Sequence, residues 1–187
     1  MVPNMVIAAP SDEAECRLLL STGYQYAGPA AVRYPRGAGT GAAPAEQLDT
    51  VELGKARVVR RGSDLAMLVF GAPLREAREV ADEFNATLVD MRFIKPLDTA
   101  LLGDLAASHH AFVTIEDNAL AGGAGSAVGE WLAGQGMDLP VLHLGLPDRF
   151  LEHGSREELL RDAGLDADGI RQSIRARFPQ LALRHTG

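Results

Sequence analysis

The sequence predicts an α/β fold built around an open, mostly parallel sheet. Short apolar runs typical of buried strands alternate with stretches of helical periodicity along the chain. Strands that alternate with helices pair in parallel through right-handed crossovers. One exception is expected around Arg61–Asp64, where a tight turn would join the predicted strands Val51–Arg60 and Leu65–Phe70 in antiparallel fashion.

The beginning of the chain predicts a strand, a helix and a second strand. Met5–Ala9 is an apolar run, and Ala30–Tyr34 is the second strand. Between them, Ser11 is placed to cap a helix that continues to about Thr22 and is closed by Gly23. A two-stranded sheet cannot bury both of its faces by itself. We therefore expect chain outside this sequence to complete the unit.

The rest of the chain predicts further helices and strands in alternation. Helices are expected over Pro73 to about Phe84, from Pro96 and Asp98 through Leu105, from Gly122–Gly125 through Ala133, and over about Ser155–Asp162 and Asp166–Arg177. Strands are expected over Ala86–Asp90, Ala111–Ile115 and Leu139–Leu144. Residues 38–50 are rich in Gly, Ala and Pro without apolar periodicity, which predicts a linker between segments 1–37 and 51–187.

Charge and composition exclude several classes of protein. The chain has 18 Lys and Arg against 25 Asp and Glu, a net charge of −7, which argues against binding to nucleic acid. No apolar run is long enough to cross a bilayer, and the N-terminus has no secretory pattern. The single cysteine, Cys16, excludes an internal disulfide and is expected to be a small buried hydrophobe. These features predict a cytoplasmic protein without a membrane partner.

The glycine-rich stretch Gly122–Ser126 follows a strand and opens a helix. Free N–H groups at a helix start attract anions, so this stretch could hold a phosphate, whereas the glycines could equally allow close packing. A dinucleotide fingerprint also needs a third glycine and a later acid, but Val128 and His143 stand at those positions. The pattern therefore favours packing over dinucleotide binding.

Carboxylates and histidines are weaker indications of a functional site. Glu116 and Asp117 end a predicted strand, where sites of open α/β sheets lie, so they could form a catalytic pair or stand in a solvated loop or an interface. His109 and His110 are adjacent and point to different faces, and His143 is expected to be a hydrogen-bonded core residue. None of these residues has the spacing of a metal site.

Arginines follow the second predicted strand, in the string Arg33–Gly37. Arg36 would project from the strand end beside a glycine that allows close backbone approach. A guanidinium is suited to bidentate recognition of phosphate, although an ordinary surface arginine would fit the same pattern.

Several strings together resemble one known family, that of the 1-deoxy-D-xylulose-5-phosphate synthases. The first group resembles the end of that family's pyrimidine-binding domain: Pro3–Ile7, Pro10–Glu13 and Ala31–Gly37. The second group resembles its C-terminal domain, which has a transketolase-like fold: Leu88–Asp98, Gly122–Ser126 and Gly145–Asp148. The strings follow in order over nearly the whole chain. Two of them, Arg33–Gly37 and Asp90–Asp98, separate it from transketolases and pyruvate dehydrogenase β subunits.

The resemblance implies an activity, cofactors and partners. The family condenses pyruvate with glyceraldehyde 3-phosphate, with loss of carbon dioxide, for isoprenoid, thiamine and pyridoxal synthesis. It implies thiamine diphosphate and Mg²⁺ as cofactors and a homodimer. The chain corresponds to about the last third of such an enzyme, so the cofactor- and metal-binding segments are expected in an N-terminal portion of the same enzyme. We expect this chain alone to be inactive, with neither catalytic nor cofactor-binding residues of its own.

The resemblance also assigns one site residue. Arg36 matches the family's arginine that clamps the phosphate of glyceraldehyde 3-phosphate, and Arg33 is a weaker candidate for substrate binding. Glu116 and the Gly122–Ser126 helix start are then expected to serve packing or the dimer interface. Two alternatives stay open: a non-catalytic dimerisation or regulatory module of the same fold, and the corresponding part of a transketolase or 2-oxo acid dehydrogenase β subunit.

Overall fold

The computed structural model describes residues 2–182, without the side chains of residues 181 and 182. Residues 1 and 183–187, at the ends of the two predicted segments, lie outside the described residues. The strands are β1 (Val6–Ala8), β2 (Ala30–Val32), β3 (Arg57–Arg60), β4 (Leu65–Phe70), β5 (Ala86–Asp90), β6 (Phe93–Lys95), β7 (Ala111–Ala119) and β8 (Val141–Leu146). The helices are α1 (Glu13–Gln25), α2 (Leu74–Ala81), α3 (Thr99–Ser108), α4 (Ala124–Gly134), α5 (Arg156–Asp162), α6 (Ala167–Arg177) and α7 (Pro179–Ala182).

The larger sheet has five strands in the order β3-β5-β4-β7-β8. Strands β5, β4, β7 and β8 pair in parallel, and β3 joins the edge antiparallel to β5. The central strand β4 is buried along its whole length, as its continuous apolar sequence predicts. The prediction of a mostly parallel α/β sheet is confirmed.

Helices cover both faces of this sheet because alternate residues of β4 point to opposite sides. Leu65, Met67 and Val69 pack with apolar residues of α2, α5 and α6. Ala66, Leu68 and Phe70 pack on the other side with residues of α3 and α4. The sheet is therefore the middle of three layers. The loops that connect its strands to the helices lie at the ends of the strands, where a site can form.

A second, smaller sheet has the order β2-β1-β6. Strand β1 pairs in parallel with β2 and antiparallel with β6, which comes from a later part of the chain. Its core contains Val6, Ala8, Leu19 and Phe93. The sequence did not predict β6, so the two-stranded sheet expected for the first segment is wrong: the chain supplies a third strand.

Two local predictions about α1 are also wrong. The N-cap is Asp12, whose carboxylate accepts from the Glu15 N–H, because the Ser11 hydroxyl donates instead to Asp90 at 2.7 Å. Gly23 does not end the helix, which continues to Gln25. A Cβ at Gly23 would lie 3.3 Å from the Ala30 Cβ, so this glycine lets α1 pack closely on β2.

The turn Arg61–Asp64 does not make a hairpin. Strand β3 pairs with β5, and the turn packs on the start of β5: the Gly62 N–H donates to the Thr87 hydroxyl, and the Ser63 N–H to the Asn85 carbonyl. Strand β4 already has β5 and β7 as neighbours, so no edge of β4 is left for β3. Residues 38–50 contain neither helix nor strand.

No helix in the described part of the chain combines the length and the apolar character needed to cross a membrane.

Candidate functional site

The crevice where open α/β sheets usually bind ligands is covered in this protein. Such crevices lie at the carboxyl ends of neighbouring strands from which the chain departs in opposite directions, here β4 and β7. Gly71 follows β4 with φ 87°, and a Cβ at this position would lie 3.5 Å from the Ala9 Cβ and 3.8 Å from Asp117 Oδ1. The chain's own first segment therefore occupies this crevice.

Glu116 fills the anion position at the start of α4. Its side chain is 3% exposed, and its two carboxylate oxygens accept hydrogen bonds of 2.8 Å from the N–H groups of Ala124 and Gly125. A carboxylate placed there satisfies free donors and complements the helix dipole. A phosphate cradle at Gly122–Ser126 is thus excluded, and Glu116 does not stand in a solvated loop.

Asp117 holds Arg33 across the two sheets. Arg33 Nη1 lies 2.5 Å from Asp117 Oδ1, and Nη2 donates to the Asp117 backbone carbonyl. The Asp117 side chain is 11% exposed, so this pair is partly shielded from solvent. Asp117 and Glu116 each have a separate structural partner, and they do not act as a carboxylate pair.

Arg36 lies free at an open cleft of about 530 Å³. It follows β2 in an exposed segment, and the described residues offer its guanidinium no hydrogen-bond or ion-pair partner. Residues that line the cleft come from the first turn of α1, the segment after β2, α2 and α5, and they include Ser11, Cys16, Thr40, Arg75 and Arg156. The arrangement can bind an anionic group.

Glu13 fastens the segment that carries Arg36. Its carboxylate accepts from the Gly41 N–H at 2.6 Å and from the Thr40 hydroxyl at 2.9 Å. These bonds, that of Gly41 foremost, lower the pKa of Glu13 to about 2. Only glycine fits at position 39, since a Cβ there would lie 2.0 Å from Glu13 Oε1.

The opposite wall of the cleft carries two arginines that sequence reasoning missed. Arg75 and Arg156 lie 3.2 Å and 3.4 Å from the same oxygen of Glu76, which is 5% exposed. One Arg156 nitrogen, Nη2, is buried without a partner in the described part of the chain. Nothing in their sequence spacing linked these residues to Arg36, because they come from α2 and α5.

A network of charged residues, most of them buried, holds the start of α1. Glu15 pairs with Arg92 through two bonds of 2.8 Å and with Arg57 at 3.2 Å. Asp90 is fully buried and accepts from Arg57 and Ser11. Burial raises the pKa of Asp90, while the Ser11 and Arg57 bonds oppose this. The network joins α1 to the end of β5.

Cys16, His109 and His143 occupy structural positions. Cys16 is half-buried at the cleft wall, which corrects the expected buried position, and desolvation raises its thiol pKa. His109 is buried and bonded to the Thr87 hydroxyl at 2.8 Å. His143 bonds to Thr114 at 2.7 Å but is exposed on the edge strand β8, so it is not a core residue. The described residues contain no cluster that could hold a metal ion.

Comparison with known proteins identifies the family to which this chain belongs. Residues 54–170 match the family model described as "Transketolase, C-terminal domain", and the chain belongs to this family. A solved structure described as "Split gene transketolase, inactive beta4 tetramer" superposes with a TM-score of 0.80 and 28% identity, over 96% of this chain and 59% of that chain.

Two curated relatives that match nearly the whole chain share one protein name. The chain is 58% identical over 183 residues to the 1-deoxy-D-xylulose-5-phosphate synthase of Thioalkalivibrio sulfidiphilus, covering 98% of this chain and 29% of that protein. It is 59% identical over 180 residues to the protein of the same name from Bordetella avium, covering 96% and 29%. The chain thus spans less than a third of these relatives' length, and it matches their C-terminal part.

Proposed function

We propose that this chain is the C-terminal part of a synthase that condenses pyruvate with glyceraldehyde 3-phosphate to 1-deoxy-D-xylulose 5-phosphate and carbon dioxide. The observation that carries the proposal is the 58% identity over 98% of the chain to a relative of that name. The names of the relatives favour this activity over that of a transketolase or a 2-oxo acid dehydrogenase.

The chain contributes a phosphate clamp and no cofactor site. The described residues hold no cluster suited to Mg²⁺, and Glu116 already fills the start of α4. We assign thiamine diphosphate and Mg²⁺ to the N-terminal portion of the enzyme, since more than two thirds of the relatives' length lies outside the match. Arg36 binds the substrate phosphate, because its guanidinium is unpaired among the described residues and stands at an open cleft. Arg33 is a poorer candidate, since Asp117 already engages it.

The organisation that goes with this function has three parts. Residues 1–37 are the end of a pyrimidine-binding domain, 38–50 a linker and 51–187 the transketolase-like domain. The complete enzyme is a cytoplasmic homodimer, and this chain alone is inactive. The structurally similar split transketolase, which is described as an inactive tetramer of β subunits, supports the last point.

A chimera tests the proposal directly. In it, this chain replaces the matching 183-residue part of the T. sulfidiphilus relative. With both cofactors and both substrates, the chimera should release carbon dioxide and form the five-carbon product, and the 187-residue chain alone should not. Turnover by the isolated chain, or an inactive but folded chimera beside an active parent enzyme, would contradict the proposal.

Arg36→Ala in the chimera tests the phosphate clamp. A lost charge-assisted contact of about 1.5–3 kcal/mol predicts a rise of roughly 10- to 150-fold in KM for glyceraldehyde 3-phosphate. The KM for pyruvate should not change, and the KM for unphosphorylated glyceraldehyde should rise little. Arg36→Lys should fall between, and the exposed Arg61→Ala serves as the matched control. Equal effects on both substrates would refute the assignment.

A further inference from the structure

Arg36 lies in the middle of a segment that is held at both of its ends. At the near end, directly after β2, the Arg33 N–H donates to the Ala8 carbonyl at 2.8 Å. At the far end, the segment is tied to Glu13 by the two hydrogen bonds described above. Residues 33–50 contain neither helix nor strand, so these contacts, rather than a regular element, set where Arg36 stands.

The start of α1, which carries Glu13, is itself fixed to the end of β5. Ser11 donates to the buried Asp90 at 2.7 Å, and Arg92 holds Glu15 through two bonds of 2.8 Å. These contacts stand two residues to either side of Glu13, so they hold its backbone independently of its side chain. Removing the Glu13 carboxylate should therefore free the segment and leave α1 in place.

The far contact shortens the unsupported stretch around Arg36. With this contact, the stretch between the two anchors covers residues 34–39. Without it, the next tie among the described residues is the Glu46 carbonyl, which accepts from Arg17 at 2.8 Å, and the stretch covers residues 34–45. A flexible stretch of twice the length holds any one arrangement less often, by a factor of roughly three, because the closure penalty grows as the 3/2 power of length.

We propose that Glu13 is the positioning residue of the phosphate clamp: it holds residues 39–41 so that Arg36 stands ready at the cleft for the phosphate of the aldehyde substrate. Glu13, Gly39 and Arg36 all line this cleft. The pKa of Glu13, about 2, keeps the carboxylate charged and the contact formed at neutral pH. The inference rests on the proposed function for the identity of the substrate, and it adds a residue that acts through Arg36.

Kinetics of the chimera test the proposal. Glu13→Ala should raise the KM for glyceraldehyde 3-phosphate roughly threefold or more, though less than Arg36→Ala does, and should leave the KM values for pyruvate and unphosphorylated glyceraldehyde unchanged. Gly39→Ala should act in the same way, because its Cβ would displace the Glu13 carboxylate. Glu46→Ala, at an exposed glutamate of the same segment, is the matched control and should change no KM.

A double variant shows whether Glu13 acts through Arg36. In the Arg36→Ala background, Glu13→Ala should cause no further rise in the KM for glyceraldehyde 3-phosphate. A further rise, or equal losses with phosphorylated and unphosphorylated aldehyde, would show a general structural role and would overturn the inference. An unchanged KM in Glu13→Ala beside a raised KM in Arg36→Ala would overturn it too, and the proposed function would stand.

Binding of inorganic phosphate to the 187-residue chain separates the inference from the reaction. Phosphate should shift the NMR signal of the Arg36 Nε–H group, and Glu13→Ala should raise the dissociation constant roughly threefold or more. Glu46→Ala should bind phosphate as the unaltered chain does, and thermal unfolding checks that each variant is folded. If the chimera is inactive, this comparison decides. A weaker affinity in Glu13→Ala would uphold the positioning role while the proposed reaction fails, whereas equal affinities, or no shift of the Arg36 signal, would overturn the positioning role.

Discussion

Arg92 and Glu15 form a two-bond ion pair that joins the end of β5 to α1, with Arg92 Nε and Nη2 each 2.8 Å from a carboxylate oxygen. Both side chains are largely buried, at 13% and 6% exposure. Arg92 adopts a positive φ of 56°, a backbone conformation that L residues rarely take. Forming this ion pair therefore costs backbone energy at Arg92. The pair joins the first segment to the larger sheet.

Arg92→Ala should destabilise the isolated chain by about 3 kcal/mol, because removing one partner leaves a buried charge without its main counterion. Arg57 still contacts Glu15 and limits the loss. Alanine keeps the same unfavourable φ, so the difference reports on the side chain. Urea unfolding measures the change in free energy. Arg61→Ala, at an exposed position, is the control, and a loss no larger than that of the control would contradict the prediction.

Glu13→Ala should release residues 37–41 without unfolding the domain. Gly41 amide exchange and tryptic cleavage after Arg36 should both become faster, since Glu13 accepts from Gly41 and Thr40. Glu46→Ala, whose carboxylate has no partner among the described residues, should change neither.

The same contact predicts a titration. The pKa of Glu13 is lowered to about 2 in the folded chain from 4.5, so the contact is fully formed above pH 4.5 and is lost as pH falls through about 2. The side-chain carboxyl carbon of Glu13, followed by NMR, should titrate near pH 2. A midpoint near 4.5 would show that the loop is not held by this carboxylate.

Two glycines on α4 should respond in opposite directions to alanine. At Gly125 a Cβ would lie 2.4 Å from Thr114 Oγ1 and 2.8 Å from His143 Nδ1, so Gly125→Ala should cost about 1–3 kcal/mol. At Gly129 the nearest atom, His143 Nε2, is 3.6 Å away, and Gly129→Ala should stabilise by up to about 1 kcal/mol through helix propensity. Thermal unfolding of both variants measures this, and a change of the same sign would contradict it.

Glu116→Gln should destabilise α4 by about 1–2 kcal/mol. The amide can still accept from one N–H, but it loses the charge at the helix start and leaves the second donor unsatisfied. Glu130→Gln, on the exposed side of the same helix, should have no effect beyond the error of the measurement. Chemical denaturation of the two variants gives the comparison, and equal stabilities would show that Glu116 is not the cap.

Local patterns predicted most elements of the larger sheet. Ala86–Asp90 and Leu65–Phe70 are strands over the predicted residues, because continuous apolar runs bounded by turns have few alternatives in a buried sheet. The helices α5 and α6 follow their N-caps, Ser155 and Asp166, with deviations of one residue. The signals for these elements lie within the elements themselves.

The failures share a different physical cause. Strand β6 has three residues, and its partner β1 lies more than eighty residues earlier, so no local pattern identifies it. Ser11 would cap α1 by propensity, but Asp90 draws its hydroxyl away. At the cleft, Arg36 could be named because of its family string, whereas Arg75 and Arg156 could not, because only the packing of α2 and α5 brings them there.

The crossing of β6 into the smaller sheet has a topological consequence. The strand follows β5 of the larger sheet by two residues, yet it hydrogen-bonds to β1, so the two sheets are interlocked through non-adjacent stretches of backbone. A protease that cuts within residues 38–50 would leave two peptides that still share a ladder, and they would copurify. Conversely, a polypeptide that starts at residue 51 would present an unpaired β6 and an uncovered Phe93, which makes it prone to aggregate.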